Sequence, residues 1–402
     1  MNEGLTGIKV VEATSAVGAP MSSRLLADWG AEVIKIDHAG DFMHKPRAKY
    51  IGNRAIQTDI NYMLQNISRN KRAITLNFAQ EAGQEIMYKL LENADVFLAN
   101  LLPRQLEKFK LDYESLKKLN PRIIYGSFTG FGSKGPDKNK PAYGTVADAR
   151  SGLLHVLQSP GNAPVQMPLA HADFTTGLAL AYGIMTALFI RERTGIGQEV
   201  HTSLYQAGVW TLSGDVAAAL VTGNDRQAVA RKDIFTPTMT SYETKDGRWL
   251  CLMVVPQTER YWPIFCKVIE REDLPEDPRF DSPEGRAKNH RDLFIILTET
   301  FLKHPLDEWT SRLNEAKLPW GPVQNLPEIT NDPQARANDF FVPLDHPVHG
   351  RMEVVANPVT LSKTKALVKP APELNQNTEE VLKELGYTQE GITKLREQKV
   401  IA

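Results

Sequence analysis

The chain has 402 residues, with 47 lysines and arginines against 48 aspartates and glutamates, a formal net charge of −1 and an isoelectric point near 6.8. That length exceeds the roughly 250–300 residues at which one hydrophobic core stops growing, so two domains are expected. The balanced charge supplies no broad field for a polyanion, so nucleic acid is not an expected partner. The only cysteines, Cys251 and Cys266, form no CxxC pair and have no histidine cluster beside them, which argues against a disulfide scaffold and a zinc site; no metal is expected, and buried reduced thiols are the default reading. The opening MNEGLTGIKVVEA has neither a charged leader nor an apolar core segment, and no apolar run reaches the roughly 18 residues of a membrane span. A cytoplasmic protein without a membrane partner is the expectation.

In chain order, IKVVEA (8–13) reads as a short strand, TSAVGAP as a loop, PMSSRLLADWG as a helix and AEVIKID (31–37) as a second strand. AITLN (73–77), the helical EAGQEIMYKLLENA, DVFLAN (95–100) and RIIYGSF (122–128) continue the alternation. The pattern predicts an α/β large domain over residues 1–220, with a mostly parallel sheet covered by helices on both faces. Residues 43–65 lack periodicity and predict a long irregular excursion. The polar stretch 223–233 reads as a linker. Beyond it TSYETKDGRWLCLMVV predicts a hairpin turning on Asp246 and Gly247, and helical periods follow at YWPIFCKVI, RDLFIILTETFLK and LDEWTSRLNEA. These predict a smaller α+β domain over 225–325. Residues 326–402 are expected to be a linker and a C-terminal segment returning to the large domain.

The chemistry centres on LAHADFTTG, which puts Asp173 just ahead of the 13-residue apolar run LALAYGIMTALFI. Aspartate is a favoured N-cap, and a purely structural role is one reading. The other is chemical: the positive pole of the helix keeps a carboxylate ionised there, and an ionised carboxylate attacks an activated acyl group. Arg191, Arg193 and Gly195 mark the far end of the same helix. Capping and catalysis are compatible.

The succession GIKVVEAT…APMSSRLLADWGAEVIKID, NKRAITLNF, ADVFLANLLPRQLEKF, NPRIIYGSFTGFGSKGP, PAYGTVADARSGL, HADFTTG and RTGIGQEVHTSLYQA resembles the family III CoA transferases, the CaiB/BaiF group. The likeness runs from about residue 4 to 396 and is weakest in the small domain. It implies a Rossmann-like large domain and a small domain in an interlocked homodimer, with the connections around 215–235 and 320–350 wrapping the partner. It also implies that Asp173 attacks an acyl-CoA donor, passes through an aspartyl anhydride and an aspartyl-CoA thioester, and delivers CoA to a free carboxylic acid. On this reading coenzyme A enters as acyl-CoA substrate, with no permanently bound cofactor. The glycine-rich loop that covers the active site in some members has no counterpart between 225 and 265.

The resemblance further implies that Val17, Gly18, His38, Leu76, Asn100, Leu101, Lys108 and Tyr143 line the CoA pocket. Val17 stands where the family usually has a polar residue. His38 stands where an arginine usually lies against the adenine; a solvated loop histidine and, for Lys108, a solvated helix charge are the alternatives. Tyr143, in PAYGTVAD, occupies the position of the histidine that pairs with the aspartate in the related α-methylacyl-CoA racemases, which need an acid and a base together. His171 is two residues from Asp173 and reads as structural or substrate-lining, because i and i+2 point apart. A racemase and a non-catalytic subunit of a hetero-oligomeric transferase remain alternatives. A nicotinamide-dependent oxidoreductase with Asp37 as ribose ligand fits poorly, since TSAVGAP lacks the GxGxxG glycines.

Overall fold

A computed structural model describes residues 4–37, 50–51, 54–55, 58–226, 228–255 and 259–402. His38 lies outside the described residues. The chain divides into two compact units, one made of residues 1–157, 164–226 and 336–402, the other of 158–163 and 227–335.

The first unit is built on six strands: β1 (Lys9–Ala13), β2 (Glu32–Asp37), β3 (Arg72–Thr75), β4 (Val96–Ala99), β5 (Ile124–Thr129) and β6 (Glu199–Ser203). They form one all-parallel sheet in the order β3-β2-β1-β4-β5-β6. Strand side chains alternate between faces, and both faces here are covered. Val11, Ile34, Ile74 and Phe97 enter one core together with Leu382 and Ile392 of the C-terminal segment. Val10, Val33, Leu98 and Ile124 enter the other, against Leu26 of helix α1 (Gly18–Asp28) and Leu180, Ile184 and Leu188 of a 24-residue helix, His171–Thr194. The order reverses between β1 and β4. In doubly wound sheets the crevice beyond the strand C-termini at that point is where ligands bind.

Beneath α1 the sheet carries buried charge. Lys71 Nζ donates to Glu12 at 2.8 Å and to the Pro20 carbonyl at 2.8 Å, while Thr14 and Ser23 hydroxyls donate to Glu12 as well. At the other end of α1, Asp28 accepts from Arg69 Nε at 3.1 Å and Nη2 at 3.0 Å, from Asn70 at 2.7 Å and from Asn357 at 3.1 Å, with Arg24 at 3.1 Å. Arg69 also donates to the Val355 carbonyl at 2.6 Å, so this knot fastens the C-terminal segment to the unit.

The second unit has a three-stranded antiparallel sheet of Ser241–Glu243, Trp249–Leu252 and Trp320–Pro322, turning at Gly247 with φ +73°. Helices Tyr261–Val268, His290–Phe301 and Leu306–Glu315 close a core around Tyr242, Phe265, Phe301 and Trp309. Two expectations are corrected. The stretch expected to be irregular to residue 65 contains a helix, Tyr62–Ser68, whose N-cap Asn61 accepts from Leu64 N–H; that cap was the missed signal. Cys251 is exposed, because it alternates outward on its strand, while Cys266 is buried; both are free.

Candidate active site

The site begins at the end of β1. Residues 14–17 form a loop in which Ala16 takes φ +63°, a conformation non-glycine residues seldom adopt. Asn100, just past β4, holds it: Asn100 Nδ2 donates to the Ser15 carbonyl at 2.8 Å, and Ser15 N–H donates to Asn100 Oδ1 at 3.0 Å. This reciprocal pair bridges the two strands at which the sheet order reverses. Val17 is the N-cap of α1 and has no side-chain oxygen for the first turn; it packs instead, as Phe174 does, against the small apolar cluster of Met21, Leu25, Ile67 and Ala181.

The free N–H at the start of α1 goes to Asp173. Gly18 N–H donates to Asp173 Oδ1 at 3.2 Å. Asp173 sits in the first turn of its own helix, whose cap position is Ala170 in the left-handed conformation with no side-chain cap bond. The capping reading of Asp173 is therefore corrected: its carboxylate serves the N-terminus of α1, and lies near two positive helix ends. Gly177, one turn along, makes this approach possible, since a Cβ there would fall 2.6 Å from the Gly18 carbonyl oxygen.

The other oxygen faces helix α2 (Gly144–Arg150); the helix His171–Thr194 is α3. A Cβ on Gly144 would fall 2.6 Å from Asp173 Oδ2, so only glycine lets α2 approach this oxygen so closely without displacing it. Burial raises the Asp173 pKa, the Gly18 N–H pulls it down, and the negative charge of Asp148 raises it again. Asp148 lies one turn after Gly144 on the same face of α2 and is 1 % exposed. Its Oδ1 is 3.3 Å from His171 Nδ1.

The residues expected to line the pocket do not all occupy equivalent places. Val17, Gly18, Leu76, Asn100 and Leu101 lie just beyond the C-terminal ends of β1, β3 and β4. Leu76 is buried in the core beneath. Lys108 is exposed, at the end of the helix Pro103–Lys108, with its ammonium 5.5 Å from the Phe109 ring. Tyr143 is the N-cap residue of α2 and is 71 % exposed. Asp148 went unnoticed in the sequence, although its spacing of four from Gly144 in YGTVAD was the available signal.

Helix α3 is long and apolar enough to cross a membrane by length and composition, the run being longer than the apolar stretch alone. In this fold its inward face, including Leu180, Ile184 and Leu188, is buried in the sheet core. Its opposite face presents Leu178, Tyr182, Met185 and Phe189, all exposed, at helical spacing. With Leu25, Trp29 and Trp210 part of this face borders an open apolar groove of about 880 Å³.

A doubly wound parallel sheet with a half-buried carboxylate between helix N-termini beside its switch point is the architecture of a ligand-binding α/β enzyme. Residues 5–378 match CoA-transferase family III, and the chain belongs to that family. It is 35 % identical over 401 residues to the (R)-2-hydroxy-4-methylpentanoate CoA-transferase of Clostridioides difficile, covering 99 % of both chains. It is 32 % identical over 404 residues to the cinnamoyl-CoA:phenyllactate CoA-transferase of Clostridium sporogenes, covering 98 % of this chain and 97 % of that one. A crystal structure of a CaiB/BaiF family protein from Brucella suis superposes with a TM-score of 0.81 at 27 % identity, over 96 % of this chain and 100 % of the other. The protein is thus a CoA-transferase, with acyl-CoA and carboxylate as the substrate types of its class.

Proposed function

We propose that this chain moves CoA from an acyl-CoA to a free carboxylic acid with Asp173 as nucleophile. The observation that carries the reading is the Asp173 carboxylate itself: one oxygen is held by the Gly18 N–H, and the other lies against Gly144, where a side chain would displace it. An oxygen of Asp173 attacks the donor thioester carbonyl, the C–S bond breaks, and CoA leaves as thiolate. The thiolate attacks the Asp173 carbonyl of the resulting anhydride, releasing the donor acid and leaving an aspartyl-CoA thioester. The acceptor carboxylate then displaces CoA to form a second anhydride, and the thiolate resolves it at the acceptor carbonyl, regenerating Asp173. No proton is gained or lost. The Gly18 N–H, at a helix N-terminus, supports the negative oxygen that develops on Asp173 whenever its carbonyl is attacked.

Val17, Gly18, Asn100 and Leu101 border the crevice at the sheet reversal and are assigned to CoA, together with Leu76, Lys108 and Tyr143. In this reading CoA is a substrate that comes and goes in the cytoplasm, with no resident cofactor. The racemase alternative is disfavoured because Tyr143, at the position where the racemases carry the histidine that pairs with the aspartate, supplies no imidazole. Two relatives support one acceptor class: 2-hydroxy-4-methylpentanoate and phenyllactate both carry a hydroxyl on the carbon next to the carboxyl. We extend that class to this chain.

The exposed apolar stripe of α3 supports a homodimer in which a second copy covers it. Sedimentation at nanomolar concentration tests this, a stable folded monomer being the result against it. Trapping tests the chemistry: incubation with acyl-CoA followed by hydroxylamine should convert Asp173 to a hydroxamate detectable by peptide mass. An active enzyme with unmodified Asp173 would exclude the mechanism and also separate it from a non-catalytic subunit, which would show neither.

A further inference from the structure

Asp148 is a buried carboxylate with no role in the CoA-transfer steps above. It lies on α2 one turn beyond Gly144, and the helix face that carries both abuts the first turn of α3. Gly144 meets Asp173 and Asp148 meets His171. Gly144 and Asp148 of α2 therefore divide the first turn of α3 between them.

The contact fixes the imidazole. An ionised Asp148 Oδ1 only accepts, and the tautomer that satisfies this 3.3 Å contact is the one with the proton on His171 Nδ1. Nε2 is then left as a lone-pair acceptor without a protein partner among the described residues. The Asp148 side chain is 2 % exposed, whereas that of His171 is 34 % exposed, so the pair reaches from the interior to an open edge. Residues four apart on a helix are separated by about 5–6 Å, which sets the distance from the Asp173 contact at Gly144 to the His171 contact at Asp148. In a 2-hydroxy acid joined to Asp173, the path from the Asp173 oxygen through the carboxyl carbon, the next carbon and its hydroxyl, with a hydrogen bond of about 2.8 Å added, covers a span of that order.

We infer that His171, oriented by Asp148, is a specificity-determining residue whose Nε2 accepts a hydrogen bond from the 2-hydroxyl of the acid substrate. Asp148 is a positioning residue: it holds the tautomer and the ring orientation. The inference rests on the reading of this chain as a CoA-transferase for 2-hydroxy acids. A polar group placed for a substrate hydroxyl discriminates against the analogue lacking it, because the site is then left unpaired.

The test is identity exchange, the incorporation of isotopically labelled acid into its own CoA thioester. Because the acid and its thioester are the only two substrates, the natural donor need not be supplied. Wild-type enzyme is assayed with 2-hydroxy-4-methylpentanoate and, separately, with 4-methylpentanoate. The expected result is a higher kcat/KM for the hydroxy acid, with the ratio of the two falling at least about tenfold in His171→Leu and partly restored in His171→Gln, whose amide oxygen reaches a similar point. Asp148→Ala should lower the same ratio chiefly through KM for the hydroxy acid, and Asp148→Asn, which still accepts from Nδ1–H, should keep most of it. Far-ultraviolet circular dichroism verifies the fold of each variant. Equal losses on both acids, or an unmoved ratio, would overturn the role of His171 while leaving CoA transfer through Asp173 intact. No exchange of either acid by the wild type would reject the functional reading together with the inference.

Discussion

Asp28 and Asp173 flank the same helix, one inside its last turn and one at its first N–H, and their surroundings differ in kind. Asp28 is saturated: two guanidinium nitrogens of Arg69, the amides of Asn70 and Asn357 and the nearby Arg24 occupy its oxygens. Asp173 has one hydrogen bond from elsewhere among the described residues, from Gly18, and a glycine beside the other oxygen. A saturated carboxylate fastens a structure, because removing it strands buried cations. An under-satisfied one is available to react. Two aspartates at opposite ends of α1, one within it and one reaching it from α3, thus separate stability from chemistry.

Replacing each aspartate tests that separation most strongly. Asp173→Asn keeps the shape of the side chain and removes the nucleophile, so turnover should fall by about 10³-fold or more with no loss of thermal stability. Steady-state assay and a thermal melt on one preparation check both halves. Asp28→Ala should do the reverse, costing about 3–5 kcal/mol of folding free energy by leaving Arg69 and Arg24 buried without their acid. Urea unfolding measures the cost, and the folded fraction should retain its specific activity.

Gly144→Ala probes the Oδ2 side of Asp173. The added methyl would meet Oδ2 at 2.6 Å and must displace it, and a misplacement on the scale of an ångström lowers kcat by about 10²-fold. A crystal structure of the variant should show the carboxylate moved while α3 stays in place. The smallest effect is expected in the pH profile. Burial and Asp148 raise the Asp173 pKa, so the acid limb of kcat/KM should lie above the ordinary aspartate value of 3.8. Asp148→Asn removes a negative charge, favours ionised Asp173 and should move that limb to lower pH by less than about one unit. A limb that moves upward would contradict the placement of Asp148 beside the nucleophile.

Much of this was legible in the sequence. Short apolar runs alternating with amphipathic ones determined the βαβ succession, because burial on both faces of a parallel sheet demands continuous apolar strands. The same reading placed Asp173 at the start of the longest apolar helix, and Asp246 and Gly247 at a hairpin. What periodicity could not reach was whatever depends on residues far apart in the chain. The strand order puts β1 beside β4 and allows Asn100 to hold Ser15 from 85 residues away. Gly18 finds Asp173 across 155 residues, so whether Asp173 caps its own helix or serves another was undecidable locally. His171 and Asp148 are 23 residues apart, joined only by the packing of α2 on α3. Local spacing dictates backbone conformation and which face is apolar; hydrogen-bond partners between elements, and hence the environment that makes one aspartate structural and another open to react, exist only once the tertiary fold has brought the elements together.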